Sequence, residues 1–146
     1  MSKKWDRRLL LLAGYIAGWS KDPSTKVGAV LAHGNRICGM GYNGLPMGVK
    51  DKRSRLMNRA LRYATTVHAE ANALQMAGDR ARGATLYTWP LPPCSGCASL
   101  AIQAGVQRVV SPTPSPDLAA RWGASLRLAR AMLREAGVRV EVMDGQ

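Results

Sequence analysis

The sequence predicts a three-layer α/β/α sandwich built around a mixed five-stranded sheet. Short apolar runs of strand length alternate with segments whose apolar residues recur every three or four positions, as on one face of a helix. Glycine and proline separate these segments without accumulating in any one linker. The 146 residues are enough for one hydrophobic core, so residues 1–146 are predicted to form a single domain.

Helices are predicted where apolar spacing is helical and where recognisable residues end the segment. Proline at Asp22-Pro23 ends the first helix, and Ser115-Pro116 opens the last one. Trp5, Trp19 and Trp122 lie on apolar helix faces and are expected in the core. The predicted helices are Trp5–Trp19, a basic helix within Lys50–Tyr63, His68–Ala77, Ser95–Ala104 and a long helix from Ser115 to Gly137.

Strands are predicted from apolar runs bounded by turn residues. A His-Gly-Asn turn joins the first two runs, so these two strands are expected to form an antiparallel hairpin. Strands separated by helices are expected to pair in parallel, with right-handed crossovers. The predicted strands are Val27–Ala32, Arg36–Tyr42, Ala84–Trp89, Val106–Val110 and Val138–Met143.

The chain is strongly basic, with a net charge of +12. Such a charge favours anionic partners, namely nucleic acid, nucleotides or an acidic surface, without choosing between them. Six basic residues cluster within one segment, which is either a solvated face or a surface that guides an anionic nucleotide or binds a regulatory triphosphate. They are Lys50, Lys52, Arg53, Arg55, Arg59 and Arg62.

Membrane insertion and export are not expected. The longest strongly apolar stretch, Leu9–Ile16, is far shorter than the roughly 20 residues of a membrane span. No small-residue cleavage site follows it, so no signal peptide is recognised. Three cysteines, an odd number, argue against a disulfide framework. A cytoplasmic location is therefore expected.

Four residues have the types and spacing of a catalytic zinc site. Cys94 and Cys97 form a C-x-x-C pair, which alone fits a redox dithiol or half of a zinc ribbon. His68 supplies a third ligand, and three protein ligands leave the fourth position of zinc open for water. Glu70 is placed to move protons to and from that water. The full pattern, H-x-E followed by P-C-x-x-C at Pro93, is typical of zinc-dependent nucleobase deaminases.

Four stretches resemble the cytidine/deoxycytidylate deaminase superfamily, and most of all its dCMP deaminase branch. They are Ser20–Ala29, Gly41–Gly48, His68–Ala73 and Cys97–Gly105. The resemblance implies a cytidine deaminase-like fold and hydrolytic deamination of dCMP to dUMP and ammonia, which supplies dUMP for dTMP synthesis. It implies Zn²⁺ bound by His68, Cys94 and Cys97.

The resemblance also implies roles for the residues around the metal. Glu70 would protonate N3 of the base and then the leaving amine. Asn43 would hydrogen-bond the sugar, and the Ala69 N–H would hold the pyrimidine O2. Lys26 and Ser24 are candidates for contact with the phosphate, although Lys26 is equally well explained as a solvated residue before a strand.

Metal count and assembly are also expectations from the resemblance. Some relatives bind a second, structural zinc, but here only Cys38 and His33 remain as ligands. Cys38 is expected in the core and His33 in a solvated turn, so one zinc per chain is predicted. The family is commonly homo-oligomeric, often hexameric, and is often regulated by dCTP and dTTP.

Other functions stay open at this point. Pro92 departs from the family pattern beside the base pocket, so dCTP or a 5-substituted dCMP are alternative substrates. The charge of +12 also suits a polynucleotide such as tRNA, although the spacing from Asn43 to His68 opposes that branch. A non-enzymatic zinc module would need a fourth protein ligand, for which no suitably placed Cys or His remains.

Overall fold

A five-stranded mixed sheet separates two helical layers in the computed structural model, which describes residues 2–144. None of the helices within those residues is both long and apolar enough to cross a membrane. The strands are β1 (Gly28–His33), β2 (Arg36–Tyr42), β3 (Thr85–Trp89), β4 (Arg108–Ser111) and β5 (Arg139–Val142). The helices are α1 (Lys3–Ala17), α2 (Arg53–Leu56), α3 (Arg59–Thr65), α4 (Ala69–Ala77), α5 (Ser95–Gln103) and α6 (Pro116–Glu135).

The strand order across the sheet is β2-β1-β3-β4-β5. β1 pairs antiparallel with β2, and β3–β4 and β4–β5 are parallel, which confirms the predicted hairpin and two of the predicted parallel pairs. The expectation that all strands separated by helices pair in parallel is wrong for β2 and β3. Because β1 lies between them, β3 pairs with β1 instead, in the antiparallel direction.

Alternate residues of the central strands face opposite helical layers. Val30 of β1 packs in a cluster with Leu10 and Ile16 of α1. Its neighbour Leu31 packs in a second cluster, with Ala73 of α4 and with residues of α5 and α6. Since both faces of the sheet are covered, β1 is apolar and buried from Gly28 to Ala32 rather than alternating. The predicted three-layer α/β/α sandwich is confirmed.

Two helical predictions needed correction. The basic segment forms two short helices, α2 and α3, because the Asn58 side chain accepts a hydrogen bond from Leu61 N at 3.0 Å and starts a new helix. Trp19 was expected in the core but is 52% exposed. The reason is that α1 ends at Ala17, so Trp19 no longer follows the helical face and instead contacts Tyr15 and Tyr42 edge-on.

Close packing of α4 on β2 sets the position of the site. A Cβ atom added to Gly41 would lie 2.6 Å from the Ala69 carbonyl oxygen and 2.8 Å from Ala73 N. Only glycine therefore lets the first turn of α4 approach the strand this closely. The small residues of α4, with Ala69 and Ala73 fully buried, make the same approach possible from the helix side.

Candidate active site

Three metal-binding side chains meet where α4 and α5 begin. His68 directly precedes α4, Cys94 directly precedes α5, and Cys97 lies in the first turn of α5. His68 Nδ1 lies 3.5 Å from Cys94 Sγ and 3.3 Å from Cys97 Sγ. Tetrahedral zinc, with bonds of about 2.1 Å to nitrogen and 2.3 Å to sulfur, places such atoms about 3.5 Å apart. The group therefore fits a zinc ion and leaves one coordination position free of protein ligands.

The electrostatics around these ligands favour a thiolate at Cys94, whereas the contact with Cys94 and burial raise the pKa of the Cys97 thiol. Hydrogen bonds from Cys97 and His68 outweigh the effect of burial and lower the pKa of the Cys94 thiol to about 4. The same contact with Cys94 raises the pKa of the His68 imidazole. Cys94 also caps a helix N-terminus, where the backbone dipole stabilises negative charge. Thiolate is the form of cysteine that binds zinc, so the site suits a metal cation.

Glu70 lies in the first turn of α4 and is 4% exposed. Within residues 2–144, no lysine or arginine forms a salt bridge with its carboxylate. Burial raises the pKa of Glu70 to about 7. A carboxyl group with such a pKa can both accept and donate a proton near neutral pH, as general acid–base catalysis requires.

A cavity of about 220 Å³ opens from these residues to the surface. Its inner end contains metal ligands and Glu70, its walls are largely apolar, and its rim is polar and aromatic. The inner residues are His68, Ala69, Glu70 and Cys94, the walls include Val27, Asn43, Leu91, Pro92 and Trp122, and the rim includes Asp22, Ser24, Thr25, Tyr63, Thr66 and Arg121.

Asn43 lines the cavity and also holds its wall together. The Asn43 side chain accepts a hydrogen bond from Val27 N and donates one to the Thr25 carbonyl oxygen, both at 2.9 Å. One amide hydrogen and one oxygen lone pair are not used by these two bonds. Ala69 lies at the first position of α4, where a backbone N–H has no partner within its own helix.

The structure separates the two predicted phosphate contacts. Ser24 lies at the rim of the cavity, and its Oγ accepts a hydrogen bond from Arg121 Nη2 at 3.0 Å. Lys26 is exposed and does not belong to the cavity lining in the described part of the chain. Thr25, which lies between them, does line the cavity, and its hydroxyl accepts from Arg121 at 3.3 Å.

Three residues that line the cavity were not predicted from the sequence as site residues. Arg121 and Trp122 come from α6, and Tyr63 comes from α3, with the Tyr63 and Trp122 ring centroids 6.2 Å apart. Trp122, expected in the core, is only partly buried because it forms this wall. No local spacing could identify Arg121, since 97 positions separate it from Ser24.

Cys38 and His33 lie outside this site. Cys38 is buried in the core, as predicted. His33 is exposed, as predicted, but it is the last residue of β1 rather than part of the turn, and its Nε2 lies 2.6 Å from the Arg80 carbonyl oxygen. Among residues 2–144, the group of His, Cys, Asp and Glu side chains close enough to share a metal ion is His68, Cys94 and Cys97.

Comparison with known sequences identifies this site with a family. Residues 3–113 match the model of the cytidine and deoxycytidylate deaminase zinc-binding region. An uncharacterized deaminase of Aliivibrio fischeri is 39% identical over 140 residues, which cover 96% of this chain and 94% of that protein. Human deoxycytidylate deaminase is 35% identical over 114 residues, or 73% of this chain, and the match spans 64% of the human protein.

A solved structure shares the fold. The dCMP deaminase of cyanophage S-TIM5, determined in complex with dCMP and dUMP, superposes with a TM-score of 0.76 at 24% identity. The match covers 98% of this chain and 99% of the phage chain. The likeness extends over the sheet and both helical layers, so the cytidine deaminase-like fold expected from the sequence is confirmed.

Proposed function

We propose, since the chain belongs to the cytidine and deoxycytidylate deaminase family, that it hydrolyses dCMP to dUMP and ammonia. The observation that carries this proposal is the single cavity that connects the zinc-binding group and Glu70 to the hydroxyls and guanidinium of its rim. A deoxynucleoside monophosphate has a base to place at one end of such a cavity and an anionic phosphate to place at the other. The names of the human and cyanophage relatives support the same substrate.

Zinc, when held by His68, Cys94 and Cys97, supplies Lewis-acid activation of water near neutral pH. Glu70 takes the proton of the attacking water as the new bond forms to C4 of the base. It passes that proton to N3, then takes the proton of the new C4 hydroxyl and gives it to the exocyclic amine, which leaves as ammonia as the C4–N bond breaks and the C4 carbonyl forms. Burial supports this role, because it raises the pKa of Glu70 above its usual range, so that the side chain can also act as an acid.

Two groups of the cavity are suited to hold the nucleoside. The Ala69 N–H, without an intrahelical partner, donates to the pyrimidine O2 in this proposal. Asn43 hydrogen-bonds the sugar with the capacity left over from its two structural bonds. Because those bonds already fix the side chain, little conformational entropy is lost when the sugar binds.

The rim is suited to the 5′-phosphate. Arg121 Nη2 lies within 3.3 Å of both the Ser24 and Thr25 hydroxyls, so one cation and two hydroxyl donors converge at this point. Guanidinium and hydroxyl groups are common partners of phosphate oxygens. Ser24 keeps its proposed role, and Arg121 and Thr25 join it, whereas Lys26 contributes at most long-range attraction.

The broader role follows from the same proposal. The product dUMP supplies dTMP synthesis, and a cytoplasmic location is consistent with that metabolism. Assembly into a homo-oligomer, commonly a hexamer in this family, and control by dCTP and dTTP remain predictions for this chain.

A side-by-side assay of ammonia release tests the substrate. The substrates are dCMP, deoxycytidine, dCTP, a 5-substituted dCMP, single-stranded DNA and tRNA. The kcat/KM for dCMP should exceed that for deoxycytidine by at least about tenfold, because only the nucleotide offers a phosphate to the rim guanidinium and hydroxyls, and hydrogen bonds to a charged group contribute about 1.4 kcal/mol or more. Equal rates on both would point to a nucleoside deaminase, and activity confined to DNA or tRNA would overturn the proposal.

Metal analysis tests the cofactor independently of turnover. Purified protein should contain about one zinc per chain, and His68→Ala should lose most of it because two ligands cannot complete the site. Cys38→Ala serves as the control, since Cys38 lies in the core away from the metal group. Full zinc retention by His68→Ala would show that another set of residues binds the metal.

A further inference from the structure

Arg62 differs from the other basic residues of its segment. It is 6% exposed, whereas Lys50, Lys52, Arg53 and Arg59 are exposed and Arg55 is half-buried. Arg62 Nη1 donates to the Leu56 carbonyl oxygen at 2.7 Å, and Arg62 Nε lies 3.5 Å from Asp22 Oδ2. Within residues 2–144, Arg62 Nε has no closer hydrogen-bond acceptor, so Asp22 is its ionic partner.

Asp22 uses its other oxygen to shape the rim. Asp22 Oδ1 accepts hydrogen bonds from Ser24 N at 2.8 Å and from Thr25 N at 3.0 Å. One carboxylate therefore folds the turn that presents the Ser24 and Thr25 hydroxyls and also binds the guanidinium of Arg62. The turn and α3 are joined through this single side chain.

Tyr63, the residue after Arg62, connects α3 to the aromatic side of the cavity. Tyr63 stands at the rim of the cavity opposite Trp122, and the Arg62 guanidinium lies 5.5 Å from the centre of the Tyr63 ring. Arg62 thus contacts both the aromatic wall and the carboxylate that orients the hydroxyl turn. Since its charge is paired with Asp22, Arg62 is not itself a free cation for substrate.

We propose that Arg62 is a positioning residue for phosphate selectivity: through Asp22 it holds the Ser24-Thr25 turn in the geometry that recognises a 5′-phosphate. The inference rests on the proposed function, because it assumes that the phosphate binds at this turn. Its consequence is specific to nucleotides. A substrate without phosphate does not contact the Ser24 and Thr25 hydroxyls, so the Arg62–Asp22 contact affects the nucleotide more than the nucleoside.

Five variants and two substrates test this link between Arg62 and phosphate recognition. Arg62→Met removes the charge and both polar contacts while keeping an unbranched apolar side chain. Asp22→Asn keeps an acceptor oxygen for the Ser24 and Thr25 N–H groups but removes the ionic attraction to Arg62. The double variant tests whether the two side chains act through each other. Arg53→Met is the matched control, because Arg53 is an exposed arginine of the same segment.

For dCMP, kcat/KM should fall at least about tenfold in Arg62→Met and about three- to tenfold in Asp22→Asn, mainly through KM. For deoxycytidine, both variants should stay within about twofold of wild type, as should Arg53→Met on either substrate. The double variant should be no worse than about twofold below Arg62→Met, since the second change removes an interaction that is already lost. Arg62→Lys should restore part of the loss because the ammonium can still pair with Asp22.

Equal losses on dCMP and deoxycytidine would mean that Arg62 only stabilises the fold, and multiplicative effects in the double variant would mean that Asp22 and Arg62 act separately. Either result overturns the inference while wild-type preference for dCMP leaves the proposed function standing. Wild-type protein that neither binds dCMP in calorimetry nor deaminates it would overturn the proposed function and this inference together. If Arg62→Met does not fold, the Asp22→Asn and Arg62→Lys results decide.

Discussion

Asp6 and Glu70 are both buried carboxylates, but they lie on opposite faces of the sheet and in opposite electrostatic surroundings. Asp6 is 1% exposed in α1, and Glu70 is 4% exposed in α4. Asp6 has strong partners, whereas Glu70 has no salt bridge within the described residues and faces a cavity. Burial alone therefore does not distinguish the ion-paired Asp6 from Glu70, the carboxylate that we propose to be catalytic, whereas their partners do.

Both carboxylate oxygens of Asp6 accept hydrogen bonds from buried side chains. The Arg108 guanidinium donates to Asp6 Oδ1 at 3.0 Å and to Oδ2 at 2.6 Å, and the Tyr87 hydroxyl donates to Oδ1 at 2.7 Å. Arg108 also pairs with Glu141, which links α1 to β3, β4 and β5. Burial raises the pKa of Asp6, but the Arg108 and Tyr87 hydrogen bonds outweigh it and leave the pKa below the usual 3.8.

At Glu70 the effect of burial on the pKa outweighs that of the neighbouring groups. Burial dominates and raises its pKa to about 7, because no fixed cation of the chain compensates for the lost water. A satisfied buried charge stabilises one protonation state, whereas an uncompensated one can exchange protons. This difference predicts that substitutions at Asp6 change stability and that substitutions at Glu70 change turnover.

The largest expected effect is on turnover in Glu70→Gln. The amide has nearly the same shape but cannot move protons, so kcat on dCMP should fall by roughly 10²- to 10⁴-fold. Zinc content and the unfolding midpoint in urea should stay close to wild type. Retention of more than about a tenth of wild-type kcat would contradict the proposed role of Glu70 and weaken the contrast with Asp6.

Asp6→Asn should show the opposite pattern. Removing one partner from a buried ion pair leaves the Arg108 charge poorly compensated, which costs about 3 kcal/mol in the free energy of unfolding. Urea denaturation measures this loss, and kcat per folded molecule should change by less than about twofold. A variant with normal stability but reduced kcat would show that the α1 face also contributes to catalysis.

A steric change tests the Glu70 face in a different way. Gly41→Ala places a Cβ atom 2.6 Å from the Ala69 carbonyl oxygen, so α4 must shift away from β2. We expect a loss of about 1–3 kcal/mol in stability, together with lower zinc content, because His68 and Glu70 move with the helix. Gly44→Ala, where a Cβ would meet nothing within 4 Å, is the control and should change neither.

The smallest effect concerns acid stability. Because the folded pKa of Asp6 lies below its unfolded value of 3.8, the unfolded state binds more protons in this range. The stabilisation is therefore present above about pH 4 and is lost as the pH falls through the folded pKa. Between about pH 5 and pH 2, wild type should lose more unfolding free energy than Asp6→Asn does. Asp79→Asn, at an exposed aspartate, should follow wild type, and parallel curves for all three proteins would exclude Asp6 as the source.

Local patterns predicted much of the molecule. All five strands appear at their predicted places, within two residues at each end. The metal group was also predictable, since an H-x-E and a P-C-x-x-C place their ligands at the starts of two helices. Helix starts expose backbone N–H groups and positive dipole ends, which makes them natural sites for thiolates.

Contacts between residues far apart in the chain were harder to predict from the sequence. No local pattern indicates that β3 pairs with β1 rather than with β2, because β1 and β2 are both short strands that contain apolar residues. Trp19 was misplaced for a related reason: helical spacing continues past Ala17, but the helix does not. Periodicity describes what a helix would bury if it formed, and it does not fix where tertiary contacts end it.

The sequence by itself determined the α/β class, the three-layer arrangement and the zinc-binding inner end of the cavity, because these depend on residues close together along the chain. Only the tertiary structure decided the rim. Asp22, in the loop before β1, pairs with Arg62 of α3, and Arg121 of α6 reaches Ser24 from 97 positions away. Such contacts depend on how three separate elements pack, so no spacing along the chain could reveal that Arg121, rather than Lys26, lies beside the two rim hydroxyls.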